Sequence, residues 1–306
     1  MAVSVFSPAK VNLFLAITGR RPDGYHDLVS VAAPLDFGDE LVAEIRGQET
    51  EDRGRFSVTC DDPGVPTDGS NLILRAAVAF AAVTGWQGGA HFALTKHIPM
   101  GAGLGGGSSN AVAALRALNQ LTGGLLLEPK LAEVAAALGS DCALFVQNMP
   151  VIMRGRGERI ESLPAAAASR LRGRRLLLFK PGFAISTPWA YGRMIASSSA
   201  KATEGRRSVY LPAAEAEDKL AAWLAGDGPA EDLLFNNMEP AAFDKFVALP
   251  LLLARLRAEF GVAAQMSGSG SACYALLGED QVTAPLVARI RECWGPASFV
   301  QEARLA

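Results

Sequence analysis

One run of glycine and serine limits the fold more than any other segment, because it lies between a strand-like segment at 91–98 and a helix-like segment at 110–122. The run reads Pro99-Met100-Gly101-Ala102-Gly103-Leu104-Gly105-Gly106-Gly107-Ser108-Ser109-Asn110. Glycines allow the backbone to curl so that its N–H groups converge on an anion. A helix that begins directly behind adds unpaired N–H donors and the positive end of its dipole. The run therefore predicts a phosphate-binding loop.

The run differs from two common phosphate loops. It contains no Lys, so it is not a Walker A loop, which ends in Gly-Lys-Ser/Thr. A dinucleotide-binding loop opens a βαβ unit and has an acidic residue about 20 positions on. Glu128 lies near that distance, but it precedes Pro129 and is typical of a helix start. From this segment alone, a surface loop without a ligand remains the alternative.

Composition narrows the class of protein. The chain has 306 residues, of which 50% are hydrophobic and 20% charged, as is typical of a globular enzyme with two domains. Its net charge of −2 gives no overall basic field for nucleic acid or a membrane. Lys10 and Asn12 interrupt the apolar start, so no signal peptide is expected, and no apolar run is long enough to cross a membrane.

The cysteines and histidines favour neither a disulfide framework nor a zinc site. Four cysteines are scattered without CxxC spacing, and there are only three histidines. We expect reduced, buried thiols in a cytoplasmic protein.

The first half of the chain is predicted to begin with strands and to continue with helices. Alternating apolar residues and turn residues such as Pro22-Asp23-Gly24 and Gly38-Asp39 predict strands at 4–6, 11–17, 28–35, 40–45 and 55–59. Helices are expected at 71–84, 110–122 and 129–138.

The second half is predicted to form an open sheet with helices on one face. We expect strands at 151–160, 174–180, 262–266, 272–277 and near 298, loops at 165–168 and 197–207, and helices near 215–224, 238–246, 250–260 and 281–294. This order suits a β-α-β-β-α-β layer. A domain boundary is expected near 150–160.

Three motifs occur in a characteristic order along residues 7–277. They are Ser7-Pro8-Ala9-Lys10-Val11-Asn12-Leu13, the glycine run, and Met266-Ser267-Gly268-Ser269-Gly270-Ser271. This order resembles the GHMP kinases, which include galactokinase, homoserine kinase and mevalonate kinase. The resemblance implies an α+β, two-domain GHMP kinase fold. Its N-terminal ATP-binding domain, of the ribosomal protein S5 domain 2-like type, would span 1–155, and its C-terminal ferredoxin-like substrate-binding domain 156–306.

The resemblance implies direct in-line transfer of the γ-phosphoryl group of ATP. Asp141 resembles the general base of the family, and Lys10 the partner that holds its carboxylate ionised. From the residues alone, Asp141 could instead be a turn or capping residue before the apolar run 143–146, which is expected to be a buried strand, and Lys10 could extend its ammonium to the surface. The chain departs from the family at Ser140-Asp141-Cys142-Ala143, where Ala-Asp-Val-Pro is usual.

The co-substrate implied by the resemblance is ATP with Mg²⁺, without a tightly bound prosthetic group. The ligands of the metal are not identified. The residues expected to bind ATP are Pro99, Gly101, Gly103, Leu104, Gly105, Gly106, Gly107, Ser108, Ser109 and Asn110 in the loop, with Lys96, Asn71 and Leu72 at the adenine. Asn71, Asn110 and the two serines have a simpler alternative as helix caps.

A further segment, Arg21-Pro22-Asp23-Gly24-Tyr25-His26, resembles the members whose acceptor is a cytidine diphospho-polyol. We expect Tyr25 and Tyr191 to enclose the cytosine. The full set expected to bind the acceptor is Asn12, Tyr25, His26, Thr187, Tyr191, Gly268 and Gly270. Tyr191 could instead be a helix residue that packs on the core, and Gly268 and Gly270 could form a simple hairpin turn.

Two other functions remain open at this point. One is a GHMP kinase for a smaller acceptor such as homoserine or mevalonate, and the other is a non-catalytic nucleotide-binding regulator on the same fold. The expected partners are small molecules rather than nucleic acid or membrane, and the protein is expected to be a monomer or a homodimer.

Overall fold

The computed structural model describes residues 1–46, 55–194 and 209–306. The expected loop at 197–207 lies outside them. Two compact units divide the chain: the first contains 1–10, 37–100 and 105–148, and the second contains 11–36, 101–104 and 149–306. These units are discontinuous, unlike the expected division at 155/156.

Two long strands explain why the units are discontinuous. Strand β1 (Ala2–Arg20) and strand β2 (His26–Arg46) each contribute residues to both units. In the first unit, β2 pairs along 40–46 with β4 (Gly89–Thr95), which also pairs with β3 (Phe56–Cys60). In the second unit, β2 pairs along 28–32 with β5 (Val151–Gly155). Strand β2 therefore pairs with different strands in the two units.

The predicted strands at 28–35 and 40–45 are one strand, and Gly38-Asp39 is not a turn. A Cβ atom at Gly38 would lie 2.3 Å from the Ser7 carbonyl oxygen. Glycine is needed at this position because the Ser7 backbone approaches closely. In the sequence, a glycine required for such an approach looks the same as a glycine required for a turn. By contrast, the turn at Pro22-Asp23-Gly24 is confirmed, with Gly24 at φ +86°.

Four helices complete the first unit, counted over its described residues. They are α1 (Leu72–Thr84), α2 (Gly106–Leu121), α3 (Glu128–Leu138) and α4 (Cys142–Gln147). The prediction for α1 is confirmed, since Asn71 caps its start and Gly85 ends it in the left-handed conformation. Helix α2 begins four residues earlier than predicted, because packing outweighs the low helix propensity of Gly106 and Gly107.

The segment after Asp141 was predicted to be a strand and is helix α4. All four residues of its apolar run 143–146 are buried, so the run has no periodicity that separates a strand from a helix.

The second unit contains the predicted β-α-β-β-α-β layer. Its sheet has the order β11-β7-β10-β9 and is antiparallel throughout: β7 is Arg175–Lys180, β9 Ala263–Met266, β10 Cys273–Leu276 and β11 Phe299–Arg304. Its longer helices are α6 (187–194), α7 (Ala213–Ala225), α9 (Ala248–Phe260) and α10 (Ala284–Trp294), with a short α8 (Glu239–Phe243). Phe179, Leu253, Ala275 and Ile290 lie in its core.

Four smaller elements of the described chain, three strands and one α-helix, lie outside this layer. The predicted strand 151–160 is two strands, β5 and β6 (Arg159–Ser162), joined through Gly155 and Gly157 at positive φ. Residues 165–168, predicted as a loop, begin helix α5 (Ala165–Leu171). Strand β8 (Phe235–Asn236) pairs in parallel with β1.

All four cysteines are free thiols, and their burial is only partly as expected. Cys142 and Cys273 are buried, whereas Cys60 is half-buried and Cys293 is exposed. Among the described residues, no helix has the length and apolar character needed to cross a membrane.

Candidate active site

Lys10 and Asp141 form an ion pair in the first unit, with the Lys10 Nζ 3.4 Å from the Asp141 Oδ2. The Lys10 side chain is only 6% exposed, so it does not extend to the surface, whereas the Asp141 side chain is 37% exposed. Asp141 directly precedes α4, but its side chain makes no capping hydrogen bond. The carboxylate is therefore held beside a buried ammonium and stays open to solvent.

The neighbouring thiol adds no charge to this pair. Burial, with a smaller contribution from the Asp141 charge, raises the pKa of Cys142 to about 11, although a hydrogen bond with Ser108 acts in the opposite direction. At neutral pH Cys142 is a protonated, buried group. Cys142 stands where the family usually has Val. Because its thiol is protonated, it adds no negative charge beside Asp141.

Every second residue of the glycine run from 101 to 105 has positive φ: Gly101 at +60°, Gly103 at +76° and Gly105 at +74°. Gly105 is required for a second reason, since a Cβ atom there would lie 2.8 Å from Phe145 Cζ and 3.0 Å from Lys10 Cγ. In the second unit, a Cβ at Gly103 would lie 2.5 Å from the Ser267 carbonyl oxygen. The run thus has both the conformation and the close approach that only glycine provides.

The N-terminus of α2 is available to an anion. The helix is 16 residues long, has no side-chain cap and has no acidic residue in its first turn. The N–H groups of Gly106, Gly107 and Ser108 therefore have neither a helical acceptor nor a capping side chain, and they lie at the positive end of the helix dipole. Ser108 and Ser109 lie inside the helix, which begins at Gly106, so neither is its N-cap. The Ser109 hydroxyl accepts a 2.8 Å hydrogen bond from the Ser7 hydroxyl.

Two of the residues predicted at the adenine lie beside this first turn. A Cβ at Gly106 would lie 3.1 Å from the Lys96 Nζ, and one at Gly107 would lie 3.6 Å from Leu72 Cδ1. Asn71 has the simpler role as a cap: its Oδ1 accepts from the Ile73 N–H at 2.9 Å, and its Nδ2 donates to the Pro66 carbonyl at 2.6 Å.

The sequence did not predict the buried carboxylate of Asp39. It is 0% exposed and accepts four hydrogen bonds. Its Oδ1 accepts from the backbone N–H groups of His97 and Ile98, both at 2.8 Å. Its Oδ2 accepts from Lys96 Nζ at 2.5 Å and from Asn110 Nδ2 at 2.9 Å. The sequence did contain a signal for this residue, because Asp39 continues the strand pattern after Gly38. The same Gly-Asp pair is also typical of a turn, and it was interpreted as one.

In the second unit, three predicted acceptor residues occur in two clusters. His26 stacks on Tyr191 with ring centroids 4.6 Å apart, and its Nε2 lies 3.1 Å from the Tyr210 hydroxyl. Burial, and to a lesser degree the charge of Arg20, lowers the pKa of His26, so the imidazole is neutral at pH 7. Thr187, at the start of α6, lies 3.0 Å from the Ser269 hydroxyl.

Tyr25 lies outside this stack of rings. Its side chain is 56% exposed, and the Arg156 guanidinium lies 4.8 Å above its ring. The stacking partner of Tyr191 is therefore His26 rather than Tyr25. Tyr191 also packs against the core of the second unit, as expected if it is a helix residue that packs on the core.

The third motif forms a tight loop at 267–271. Gly268 and Gly270 have φ of +58° and +81°. Asn236, buried in β8, donates from Nδ2 to the carbonyls of Met266 and Gly268, each at 2.9 Å. Asn12, the remaining predicted acceptor residue, is 6% exposed: its backbone N–H donates to the Ser267 hydroxyl at 3.3 Å, and its Nδ2 donates to the Ser30 hydroxyl at 2.9 Å.

These features agree with comparisons to known proteins. The model of the GHMP kinases N terminal domain matches residues 71–155. The match covers α1 to β5, including the glycine run and Asp141. The fold and the motifs thus define a GHMP kinase, and the resemblance seen in the sequence is confirmed.

Two relatives are similar over most of the chain. The 4-diphosphocytidyl-2-C-methyl-D-erythritol kinase of Methylacidiphilum infernorum is 36% identical over 91% of this chain and 87% of its own length. The chloroplastic kinase of the same name from Arabidopsis thaliana is 36% identical over 88% of this chain and 66% of its own length. The chain belongs to the 4-diphosphocytidyl-2-C-methyl-D-erythritol kinase family, whose members are enzymes of the non-mevalonate isoprenoid pathway, and it is a kinase with ATP as its co-substrate.

Solved structures agree with this fold. A crystal structure of 4-(cytidine 5'-diphospho)-2C-methyl-D-erythritol kinase has a TM-score of 0.74 at 31% identity and covers 99% of this chain and 100% of its own. The homoserine kinase of Cytophaga hutchinsonii has a TM-score of 0.71 at 17% identity, covering 99% of this chain and 95% of its own. The second likeness shows the shared fold alone.

Proposed function

We propose that the protein transfers the γ-phosphoryl group of ATP to the 2-hydroxyl of 4-(cytidine 5'-diphospho)-2-C-methyl-D-erythritol. The observation that carries the proposal is the Lys10–Asp141 pair, in which a buried ammonium lies 3.4 Å from a carboxylate that stays 37% exposed. A carboxylate that is paired and yet open can accept a proton from a substrate hydroxyl. The names of the related kinases support the choice of acceptor.

The transfer is a direct displacement. Asp141 accepts the proton of the acceptor hydroxyl, whose oxygen bonds to the γ-phosphorus as the bond from that phosphorus to the bridging oxygen of ADP breaks. Lys10 pairs with the Asp141 carboxylate before the reaction and offsets negative charge on the phosphoryl group during it. The free N–H groups at the start of α2 bind the phosphates, which positions the donor.

Magnesium fits this site as a companion of the nucleotide. Within the described ranges, no group of three His, Cys, Asp or Glu side chains is arranged to hold a metal. Mg²⁺ commonly uses one or two protein oxygens together with substrate phosphates. The Ser108 hydroxyl, in the first turn of α2, is the side chain that would hold it. The ion would neutralise phosphate charge.

The acceptor would bind in the second unit. The stacked rings of His26 and Tyr191 offer an aromatic surface for the cytosine, and the neutral imidazole can hydrogen-bond to its edge. The loop at 267–271, together with Thr187 at the start of α6, offers hydroxyl and backbone groups for the diphosphate.

A panel of acceptors tests the proposed reaction. We expect ATP consumption with the cytidine diphospho-polyol and little with homoserine, mevalonate or galactose, because those acceptors have no pyrimidine to bind. The ADP released would be measured by a coupled assay at saturating ATP. Equal turnover of homoserine, or of methylerythritol phosphate without its cytidine, would reject the proposed acceptor while leaving the kinase assignment intact.

Replacement of Tyr191 with Ala is expected to raise the KM for the acceptor about tenfold, with the KM for ATP unchanged. An aromatic pair is worth about 0.5–1.5 kcal/mol beyond its buried area, and about 1.4 kcal/mol corresponds to a factor of ten. The loss also removes the ring on which His26 stacks. Initial rates measured against each substrate separately would show the effect.

Two controls separate this role from packing. Tyr191→Phe keeps the ring, so its KM for the acceptor should remain near that of the wild type. An acceptor without cytidine should react slowly and be insensitive to Tyr191→Ala, because remote binding energy positions the reacting group. Equal increases in both KM values for Tyr191→Ala would contradict a role specific to the acceptor.

A further inference from the structure

The carboxylate of Asp39 connects the two ends of the glycine run. Its Oδ1 accepts from the N–H groups of His97 and Ile98, which directly precede Pro99 at the entrance of the run. Its Oδ2 accepts from the side chain of Asn110, the last residue of the run, which lies in the second turn of α2. One buried side chain thus fixes the distance between the segment that enters the run and the helix that leaves it.

The same oxygen also holds Lys96. The Lys96 ammonium donates to Asp39 Oδ2 at 2.5 Å, and its side chain is 6% exposed. A Cβ at Gly106 would lie 3.1 Å from this ammonium, so Asp39 holds a positive charge beside the first residue of α2. Without the carboxylate, the ammonium would be buried without a charge partner at this position, which is costly.

Ser7 provides a second attachment for α2. Its hydroxyl accepts from Asn110 Nδ2 and donates to the Ser109 hydroxyl, both at 2.8 Å, and the residue is fully buried. Asn110 therefore donates to Ser7 and to Asp39 at the same time, which fixes the rotation of α2 about its axis. The direction of its unpaired N–H groups depends on that rotation.

We propose that Asp39 is the positioning residue of the ATP site: it holds the entrance of the glycine run, the Lys96 ammonium and the start of α2 in one arrangement before the nucleotide binds. It touches neither substrate in this role. The proposal rests on the proposed binding of ATP phosphates by the glycine run. Such an arrangement lowers the entropy cost of binding, because the loop is already ordered.

Asp39→Asn is the sharp test, because the two carboxylate oxygens have different partners. The amide oxygen of Asn can still accept from the His97 and Ile98 N–H groups, whereas its NH₂ would face the donors of Lys96 and Asn110. We expect the KM for ATP to rise about 10-fold to 100-fold, since small misplacements of binding groups have effects of this size. The kcat at saturating ATP and the KM for the acceptor should stay within about threefold, as binding rather than chemistry is affected.

Asp36→Asn is the matched control. Asp36 lies on the same strand and is exposed, and it accepts a backbone hydrogen bond from Arg304 at 2.7 Å. This change removes the same charge from the same strand and should leave the KM for ATP unchanged. A merely structural role of Asp39 would lower the midpoint of thermal unfolding and the active fraction of Asp39→Asn, but would leave its KM for ATP unaltered.

Ser7→Ala covers the case in which Asp39→Asn does not fold. It removes the second attachment of Asn110 and should raise the KM for ATP by about threefold, since one neutral hydrogen bond is lost. Calorimetry of ATP binding to the wild type separates the two proposals: no binding would reject the proposed function itself. The role of Asp39 is rejected if the wild type binds ATP but Asp39→Asn folds and has an unchanged KM for ATP. If Asp39→Asn does not fold, an unchanged KM for ATP in Ser7→Ala rejects it instead.

Discussion

Asp141→Asn is expected to lower kcat by about 10²–10⁴-fold, the range for loss of a general base. The amide has the shape of the carboxylate but cannot accept the proton of the acceptor hydroxyl. Because the Asp141 side chain makes no capping bond at α4, its exchange should leave the helix intact. Initial rates at saturating concentrations of both substrates would measure the effect.

The control for this variant is binding. Calorimetry should give an affinity for ATP close to that of the wild type, and circular dichroism should show that the variant is folded. A folded Asp141→Asn enzyme that turned over at near the wild-type rate would mean that another group, or no group, removes the proton.

Lys10→Met is expected to lower kcat by about 10²–10³-fold, the effect of removing one group that stabilises charge in a transition state. Methionine has a similar volume, so it can occupy the same buried space without the ammonium. The carboxylate left behind is partly exposed and can be hydrated, so the protein should stay folded. Rates and circular dichroism of the purified variant would test both points.

The double variant Lys10→Met/Asp141→Asn distinguishes a pair from two independent groups. If the two residues act as a unit, the double variant should be no slower than the slower single variant. Multiplication of the two single effects would show that Lys10 acts on the phosphoryl group independently of Asp141; its role as the partner of the base would then be rejected, and its role on the phosphoryl group would stand.

Local signals predicted several elements because a few adjacent residues are sufficient for them. Asn71 accepts from the N–H two residues on, and Gly85 adopts the left-handed conformation, so both ends of α1 could be identified from the sequence. Helix α5 was missed although four consecutive alanines, which favour helix, form its start. There the signal was present and was misinterpreted.

The strand prediction was wrong for a segment in which every residue is buried. The run at 143–146 has no exposed face, so its pattern fits a strand or a helix equally, and the tertiary contacts select helix α4. Gly38 is the converse case: the close approach of the Ser7 backbone determines its role, and nothing in the neighbouring residues records that approach.

The sequence by itself determined the position of the glycine run and the class of protein, because both depend on motifs of fixed residue types in a fixed order. The resemblance to that class then identified Lys10 and Asp141 as candidates. Only the tertiary structure decided which side chains meet. It brings the Lys10 ammonium to the Asp141 carboxylate, His26 rather than Tyr25 to Tyr191, and Asp39 to Asn110. Hydrogen bonds between neighbours follow local backbone geometry, whereas burial and the pairing of distant charges follow from how the whole chain packs.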